Sequence, residues 1–136
     1  MRQFGVELYD RWTAMWNGDT ALADEIMAPE FHLRYAQAGT EAFDEVRRPG
    51  ELADVITGWH RKRPGLRFVA EGPAVVDIGL VDGAPEGTVA RPYVASFVDN
   101  DGRTVARSGT DILAVTGGRI TEVWSVSSGA GGRTFY

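Results

Sequence analysis

One carboxylate in this chain lies where a charge is costly. Asp111 is followed by Ile-Leu-Ala-Val, and the segment from Thr104 to Val115 has the composition of a strand. A buried aspartate destabilises a fold unless it is paired, or unless it serves a purpose such as proton transfer. Arg107 lies on the same face of that strand, because successive side chains alternate between faces. Two interpretations stay open: Asp111 is an acid/base group with a raised pKa, or it forms an ion pair with Arg107.

The composition narrows the classes of function. The 136 residues suit one domain, residues 1-136, with a single core. The chain has no cysteine and only two histidines, far apart in sequence, so we expect neither a metal site nor a cofactor. The net charge of -5 disfavours a nucleic-acid partner, since phosphate binding requires a basic face. Because no apolar run reaches membrane-spanning length and no signal-peptide core is present, we expect a soluble, cytoplasmic protein without a membrane partner.

Helices come first in the chain, and strands follow. The spacing of Phe4, Leu8, Trp12 and Met15 predicts a first helix from about Arg2 to Gly18. The remaining predicted elements are a helix to about Met27, a strand over Phe31–Tyr35, a long loop over Ala36–Arg48, a helix from Pro49 to about Arg63, and strands over Leu66–Glu71, Ala74–Val81, Thr88–Asp99, Thr104–Val115 and Arg119–Ser127. This order predicts an α+β fold.

The turn Asp101-Gly102 decides which residues share a face of the sheet. With a two-residue loop, Ser96 pairs with Arg107 and shares a face with Asp111. The opposite face then carries Tyr93, Phe97 and Ile112. Both faces contain apolar residues, and the helices can cover only one of them. A second copy of the chain is therefore expected on the other face.

Three segments carry a resemblance to a known family. They are Trp12-Thr-Ala-Met-Trp16-Asn-Gly-Asp19, Met27-Ala-Pro-Glu-Phe31 and Asp111-Ile-Leu-Ala-Val-Thr-Gly-Gly-Arg-Ile-Thr-Glu-Val-Trp124. With the order of elements, they resemble the NTF2-like superfamily, and within it the SnoaL-like, polyketide-cyclase-like branch. The resemblance implies a cone in which a curved antiparallel sheet wraps around the N-terminal helices and encloses a deep pocket. It also implies a concave face with Asp111, Val123 and Ser125, and a homodimer through a convex face with Tyr93, Phe97, Ile112 and Trp124.

The catalytic positions of this superfamily match the chain only in part. By resemblance to the steroid isomerases, Asp111 stands where a carboxylic acid donates a hydrogen bond to a developing oxyanion. Tyr35 stands where those enzymes have their base, and Arg11 where they have a tyrosine. In the polyketide cyclases the last strand carries His-Trp-Asp, whereas this chain has Val123-Trp124-Ser125. The resemblance therefore implies half of a catalytic set.

These residues together form the predicted site. Asp111 is the predicted acid/base group, and Tyr35 is a second hydrogen-bonding group. The predicted ligand-binding residues are Trp12, Trp59, Ser96, Arg107, Val123 and Ser125. The first hypothesis is a cofactor-free isomerase, cyclase or hydrolase that acts on a small, largely apolar molecule. The alternative is a non-catalytic module that binds a small ligand or serves as a dimeric scaffold. A protein-interaction domain is a third hypothesis, based on fold analogy alone.

Overall fold

The N-terminal half of the chain supplies the helices. The computed structural model describes all of residues 1–136. Its helices are α1 (Arg2–Trp16), α2 (Leu22–Ile26), α3 (Pro49–Lys62) and a short 3-10 helix (Glu41–Glu45) within the predicted long loop. Leu8, Trp12 and Met15 form the buried stripe of α1, as their spacing predicts. Proline occupies the first turn of α3, where no backbone donor is lost. None of these helices has the length and apolar character needed to cross a membrane.

The strands form one curved, unclosed sheet. They are β1 (Met27–Tyr35), β2 (Arg67–Ala70), β3 (Val75–Val81), β4 (Ala84–Val98), β5 (Thr104–Thr116) and β6 (Arg119–Ser127). The order across the sheet is β1-β6-β5-β4-β2, and β3 also pairs with β4. The predicted α+β class is confirmed. The sheet is mixed rather than purely antiparallel, because β1 runs parallel to β6 while the other pairs are antiparallel.

The interior between the helices and the concave face of the sheet has a filled end and an open end. At the filled end, Leu52 and Ile56 of α3 pack in the same core as Leu113 and Val123 of the sheet, and all four are fully buried. Further along β4, β5 and β6 the inward side chains line a cavity instead. Asp111 is the inward residue just before Leu113 on β5, so it lies at the boundary between the packed core and the cavity.

The hairpin between β4 and β5 has a different register from the predicted one. Asn100, Asp101 and Gly102 form a three-residue loop, with hydrogen bonds from the Asp99 amide to the Arg103 carbonyl and from the Gly102 amide to the Asp99 carbonyl. Gly102 has a φ of +77°, so the turn ends in a left-handed residue. The extra loop residue shifts the register by one position, which moves every side chain of β4 to the opposite face.

The shift reverses the roles of several β4 residues. Arg107 pairs with Ala95 and not with Ser96, so the predicted inward position of Ser96 is wrong. Tyr93 and Phe97 face the cavity, and their predicted position on the convex face is also wrong. Ile112 and Trp124 do lie on the convex face, as cross-strand neighbours that are each about 40% exposed. Val126 adds a further exposed apolar side chain beside them.

The other two hairpins have the tightest possible loops. Gly117 and Gly118 have φ values of +61° and +80°, which confirms the predicted Gly-Gly turn between β5 and β6. A second such turn, Asp82-Gly83, joins β3 to β4, so β4 starts at Ala84 rather than at Thr88. Past the end of β6, the C-terminal tail returns beside β5, where the Ser108 amide donates to the Arg133 carbonyl at 3.1 Å.

Candidate functional site

The open end of the fold contains a cavity of about 280 Å³. This is near the lower end of the roughly 300–1,000 Å³ usual for small-molecule sites. Its wall is dominated by aromatic side chains from α1, α3 and the sheet: Tyr9, Trp12, Trp16, Tyr35, Trp59, Phe68, Tyr93 and Phe97. Asn17, just after α1, donates to the Phe68 carbonyl and accepts from the Phe68 amide, at 2.9 and 2.7 Å. These two bonds fix the end of the helix against the sheet.

Asp111 is the only acidic residue in the cavity wall. It is 7% exposed and accepts a hydrogen bond through Oδ2 from the Trp12 indole N–H at 2.9 Å. Its other oxygen, Oδ1, is buried and has no hydrogen-bond partner within the protein. Trp12 reaches the carboxylate because it lies on the buried face of α1, which crosses the concave side of the sheet. One oxygen is thus held in place while the other remains available.

Burial raises the pKa of Asp111 from its ordinary 3.8 to about 6. The hydroxyl of Ser125, its cross-strand neighbour on β6, and the Trp12 N–H act in the opposite direction. Of these two donors only Trp12 makes a hydrogen bond of ordinary geometry, so we assign the orientation of the carboxyl group to Trp12. At pH 7 the group is mostly ionised, with roughly one molecule in ten protonated.

The charge of Asp111 affects the pKa values of three tyrosines in the cavity wall. Burial, and next the negative charge of Asp111, raise the pKa of Tyr9, Tyr35 and Tyr93 well above the ordinary value, so all three are neutral phenols near pH 7. Tyr9 donates to the Arg91 carbonyl at 2.9 Å. The Ser125 hydroxyl is a neighbour of both Tyr35 and Tyr93 and acts to lower the pKa of each, against the larger effect of burial. Neither phenol donates its own O–H to an acceptor within the protein, unlike Tyr9, so both can donate to a ligand.

Two local features hold these phenols in position. Tyr35 stacks on Phe43 of the 3-10 helix, with ring centroids 4.2 Å apart and planes 7° from parallel. Tyr93 lies directly opposite Gly109 on β5. A Cβ on Gly109 would lie 2.5 Å from the Tyr93 hydroxyl oxygen and 2.7 Å from the Val126 carbonyl oxygen. Glycine at this position therefore leaves the space that the Tyr93 ring occupies across β5.

Two arginines lie toward the open end of the cavity. Arg107 and Asp111 form no ion pair, which removes that interpretation of the carboxylate. Four residues along a strand separate their Cα atoms by about 13 Å, beyond the reach of a direct contact. The guanidinium carbon of Arg107 lies 5.3 Å from the Phe97 ring centroid, and that of Arg63 lies 3.7 Å from the Trp59 centroid. Burial, and then the nearby charge of Arg107, lower the pKa of Arg63.

Solved structures with the same architecture are found in several bacteria. A candidate polyketide cyclase from Acidithiobacillus ferrooxidans superposes with a TM-score of 0.72 at 14% identity, over 91% of this chain and 87% of that chain. A candidate SnoaL-like polyketide cyclase from Jannaschia gives 0.64 at 16% identity, over 93% and 86%. An NTF2-like protein of unknown function from Cytophaga hutchinsonii gives 0.63 at 10% identity, over 93% and 98%. The chain has the NTF2-like fold.

The resemblance predicted from the sequence is thus confirmed at the level of the NTF2-like fold. No family model of protein sequences matches the chain, and no curated protein does. Identities of 10 to 19% to solved structures carry the arrangement of helices and strands but not a reaction. The residues of the cavity therefore carry the information about its chemistry.

The cavity brings together most of the predicted site residues. Those that line it are Trp12, Tyr35, Trp59, Arg107, Asp111 and Ser125. Ser96 does not line it, because the register of β4 turns that residue outward. Val123 does not line it either, since it is fully buried in the packed core one inward position from Ser125.

Sequence reasoning missed several residues of the wall, and four of them bear on the site. Tyr93 and Phe97 were placed outside by the wrong hairpin register, and a three-residue Asn-Asp-Gly loop is the signal that finds both. Arg63 lies in the basic run Arg61-Lys62-Arg63, which is typical of a solvated surface, yet only Arg63 lines the cavity. Tyr9 follows Leu8 on the buried side of α1. The buried side of this helix is wide, so the sequence pattern did not distinguish Tyr9 as a cavity residue.

Unpartnered polar atoms concentrate in this cavity. The protein has four buried side-chain nitrogen or oxygen atoms without a hydrogen-bond partner. Three of them, Trp16 Nε1, Arg107 Nε and Asp111 Oδ1, belong to residues of the cavity wall, and the fourth is Glu71 Oε2. Because buried polar groups in native proteins are rarely left unpaired, such a cluster points to a binding site.

Proposed function

We propose that this protein binds a small, largely apolar carbonyl compound in the aromatic cavity and catalyses proton transfer on it through Asp111, without a cofactor. The observation that carries the proposal is the state of that carboxyl group. It is buried among aromatic rings, one oxygen is held by Trp12, and the other has no partner. Its pKa of about 6 is close to the value at which a carboxylate is both ionised and basic near neutral pH.

In the proposed reaction, Asp111 removes a proton from a carbon next to the carbonyl group of the ligand. The proton passes to the carboxylate, and the C–H electron pair forms the enolate. The phenol hydroxyl of Tyr35 or Tyr93 donates a hydrogen bond to the enolate oxygen. Return of the proton from Asp111 to another carbon completes an isomerisation. In a cyclisation the enolate carbon instead attacks a second carbonyl carbon of the same molecule, the C=O π electrons move to its oxygen, and that oxygen takes the proton from Asp111. Candidate polyketide cyclases share this fold, so the proposed chemistry is compatible with the architecture, while its support comes from the cavity.

Exchange of carbon-bound protons tests this step without knowledge of the natural substrate. The small ketone 2-tetralone is incubated in deuterium oxide with the wild-type protein, and loss of its α-proton signals is followed by NMR. We expect the protein to accelerate exchange over buffer, and the Asp111→Asn variant to lose at least about a hundredfold of that acceleration. The wild-type rate should rise with pH around pH 6, because the ionised carboxylate is the active form.

The matched control is Asp77→Asn, which makes the same change at an exposed position of β3. This variant should retain the exchange rate of the wild type. Equal exchange rates in wild type and Asp111→Asn would refute the role of Asp111. Binding of 2-tetralone without any exchange would favour the alternative, a non-catalytic module that holds a small apolar ligand. That alternative is motivated by the absence of a second carboxylate from the cavity wall.

A homodimer through the convex face is the second part of the proposal. The exposed apolar side chains of Ile112, Trp124 and Val126 lie on neighbouring positions of β5 and β6. Tyr93 and Phe97 do not contribute, because both line the cavity. A contiguous apolar patch on a sheet without covering helices is typical of an isologous interface. We therefore centre the proposed interface on Trp124.

A further inference from the structure

The open end of the cavity carries positive charge without a counter-ion. Arg63 and Arg107 both line the cavity, and neither takes part in any ion pair. The only acid in the wall, Asp111, is too far along β5 to neutralise Arg107. Burial, and then the nearby charge of Arg107, lower the pKa of Arg63, so the two guanidinium groups lie close to each other. This concentration of positive charge is unexpected in a chain whose net charge is -5.

Both guanidinium groups are held in place by aromatic rings. The guanidinium carbon of Arg63 lies 3.7 Å from the Trp59 ring centroid, and that of Arg107 lies 5.3 Å from the Phe97 centroid. Cation–π contacts occupy the faces of a guanidinium group but leave the N–H edges free. The Nε atom of Arg107 is buried and has no acceptor within the protein. Two pre-positioned donor edges with an unsatisfied N–H group are suited to an anion.

We infer that Arg63 and Arg107 bind a carboxylate group at the open end of the cavity, so that the ligand is an apolar carboxylic acid whose other end reaches Asp111. The inference rests on the proposed function and names the substrate class. The wall between the two ends is aromatic, which requires an apolar body between the carboxylate and the reacting carbon.

A carboxylate fits this site better than a phosphate. Phosphate sites commonly use the N-terminus of a helix, where backbone N–H groups are free. The cavity is instead lined by Trp16, the last residue of α1, and by Arg63, which follows the last residue of α3. The C-terminal ends of helices carry partial negative charge, which disfavours a dianion more than a monoanion. Planar guanidinium edges also match the planar carboxylate in a two-point contact.

A pair of isosteric probes tests this inference. Binding of 2-naphthoate and of the uncharged 2-naphthamide is measured by isothermal titration calorimetry. We expect the wild type to bind naphthoate at least about tenfold more tightly than naphthamide, since a charge-assisted contact contributes about one power of ten or more. Arg63→Gln and Arg107→Gln should each weaken naphthoate binding about tenfold and leave naphthamide binding unchanged.

Control variants separate this effect from the loss of a surface charge or of folding. Arg61→Gln removes a positive charge from the exposed side of the same helix and should leave both affinities unchanged. Unchanged naphthamide affinity shows that each variant keeps its cavity. Arg107→Lys retains the charge without the planar fork, so it should recover only part of the preference for naphthoate.

The possible outcomes separate the carboxylate site from the proposed function of the cavity. Equal affinity of the wild type for the two probes, or a preference that survives both arginine substitutions, would overturn the carboxylate site alone. Inorganic phosphate that displaces naphthoate at an equal concentration would assign the site to phosphate and likewise overturn it. Failure of both probes to bind at millimolar concentration would instead count against the apolar cavity as a ligand site, and so against the proposed function too.

Discussion

Replacement of Asp111 by asparagine should stabilise the protein, and the gain should depend on pH. Asparagine has nearly the same shape as aspartate, and its side-chain oxygen can still accept the hydrogen bond from Trp12. The substitution removes the charge whose burial raises the pKa of Asp111. An acid whose pKa is raised by burial binds its proton more tightly in the folded state than in the unfolded state. Ionisation of Asp111 therefore favours unfolding.

The size of the effect follows from the two pKa values. The pKa of Asp111 is 3.8 in the unfolded chain and about 6 in the folded protein. At about 1.4 kcal/mol for each pKa unit, ionised Asp111 destabilises the folded state by about 3 kcal/mol. This cost is absent below about pH 3, where Asp111 is protonated in both states. It develops between about pH 3 and 7 and is complete above about pH 7. The wild type should lose this stability as the pH rises, whereas Asp111→Asn should not.

Urea denaturation of both proteins at several pH values between 4 and 8 measures this difference. The free energy of unfolding of Asp111→Asn should exceed that of the wild type at both pH values, and we expect this excess to be about 2.5 kcal/mol larger at pH 8 than at pH 4. Any constant contribution from the new amide group cancels in that comparison. The exposed Asp77→Asn variant serves as the control. A difference between wild type and Asp111→Asn that stays constant from pH 4 to 8 would refute the argument that burial destabilises the ionised carboxylate.

Three further substitutions test the surroundings of the site. Trp12→Phe removes the N–H that donates to Asp111, while Trp16→Phe removes an indole N–H that has no partner. In urea denaturation at pH 8, Trp12→Phe should lower the free energy of unfolding by about 1.5–3 kcal/mol more than Trp16→Phe does. Equal losses in the two variants would contradict the role of the hydrogen bond. Gly109→Ala should lower the free energy of unfolding by about 1–3 kcal/mol and weaken the binding of 2-naphthamide, because the new methyl group meets Tyr93. Gly79→Ala has open space around its Cβ and should change the free energy of unfolding by less than about 0.5 kcal/mol. Light scattering should show that Trp124→Glu converts the proposed dimer into a monomer. Leu80→Glu, a change at another exposed apolar position, should leave the dimer intact. A wild type that is monomeric at micromolar concentration would contradict the proposed interface.

The helices and the last hairpin could be predicted from the sequence because their signals are local. The buried stripe of α1, the proline that starts α3 and the Gly-Gly turn each depend on residues close together in the chain. The turn between β4 and β5 is also local, but Asp-Gly is compatible with a two-residue and a three-residue loop. In the structure Asp99 accepts hydrogen bonds from the Asp101 and Arg103 amides, which favours the longer loop.

That single choice accounts for three of the errors at the site. A register shift of one residue placed Ser96 inside the predicted cavity and Tyr93 and Phe97 outside it. The ion pair between Arg107 and Asp111 could not be judged from shared face alone, since the distance along the strand decides it. The parallel contact between β1 and β6 joins two ends of the chain, and no local pattern reports such a pairing.

The bond between Trp12 and Asp111 also has a consequence for the way the chain folds. It joins residues 99 positions apart, and β1 has its only strand partner in β6. The helix α1 packs mainly on β2, β3 and β4, whereas the outermost strand pair and the bond to Asp111 both require the hairpin of β5 and β6. Folds dominated by such distant pairings form slowly, on a timescale of roughly milliseconds to seconds. Until the hairpin forms, the unpaired edge of β1 favours aggregation, and loss of the hairpin would remove both the partner of β1 and the acceptor of the Trp12 N–H.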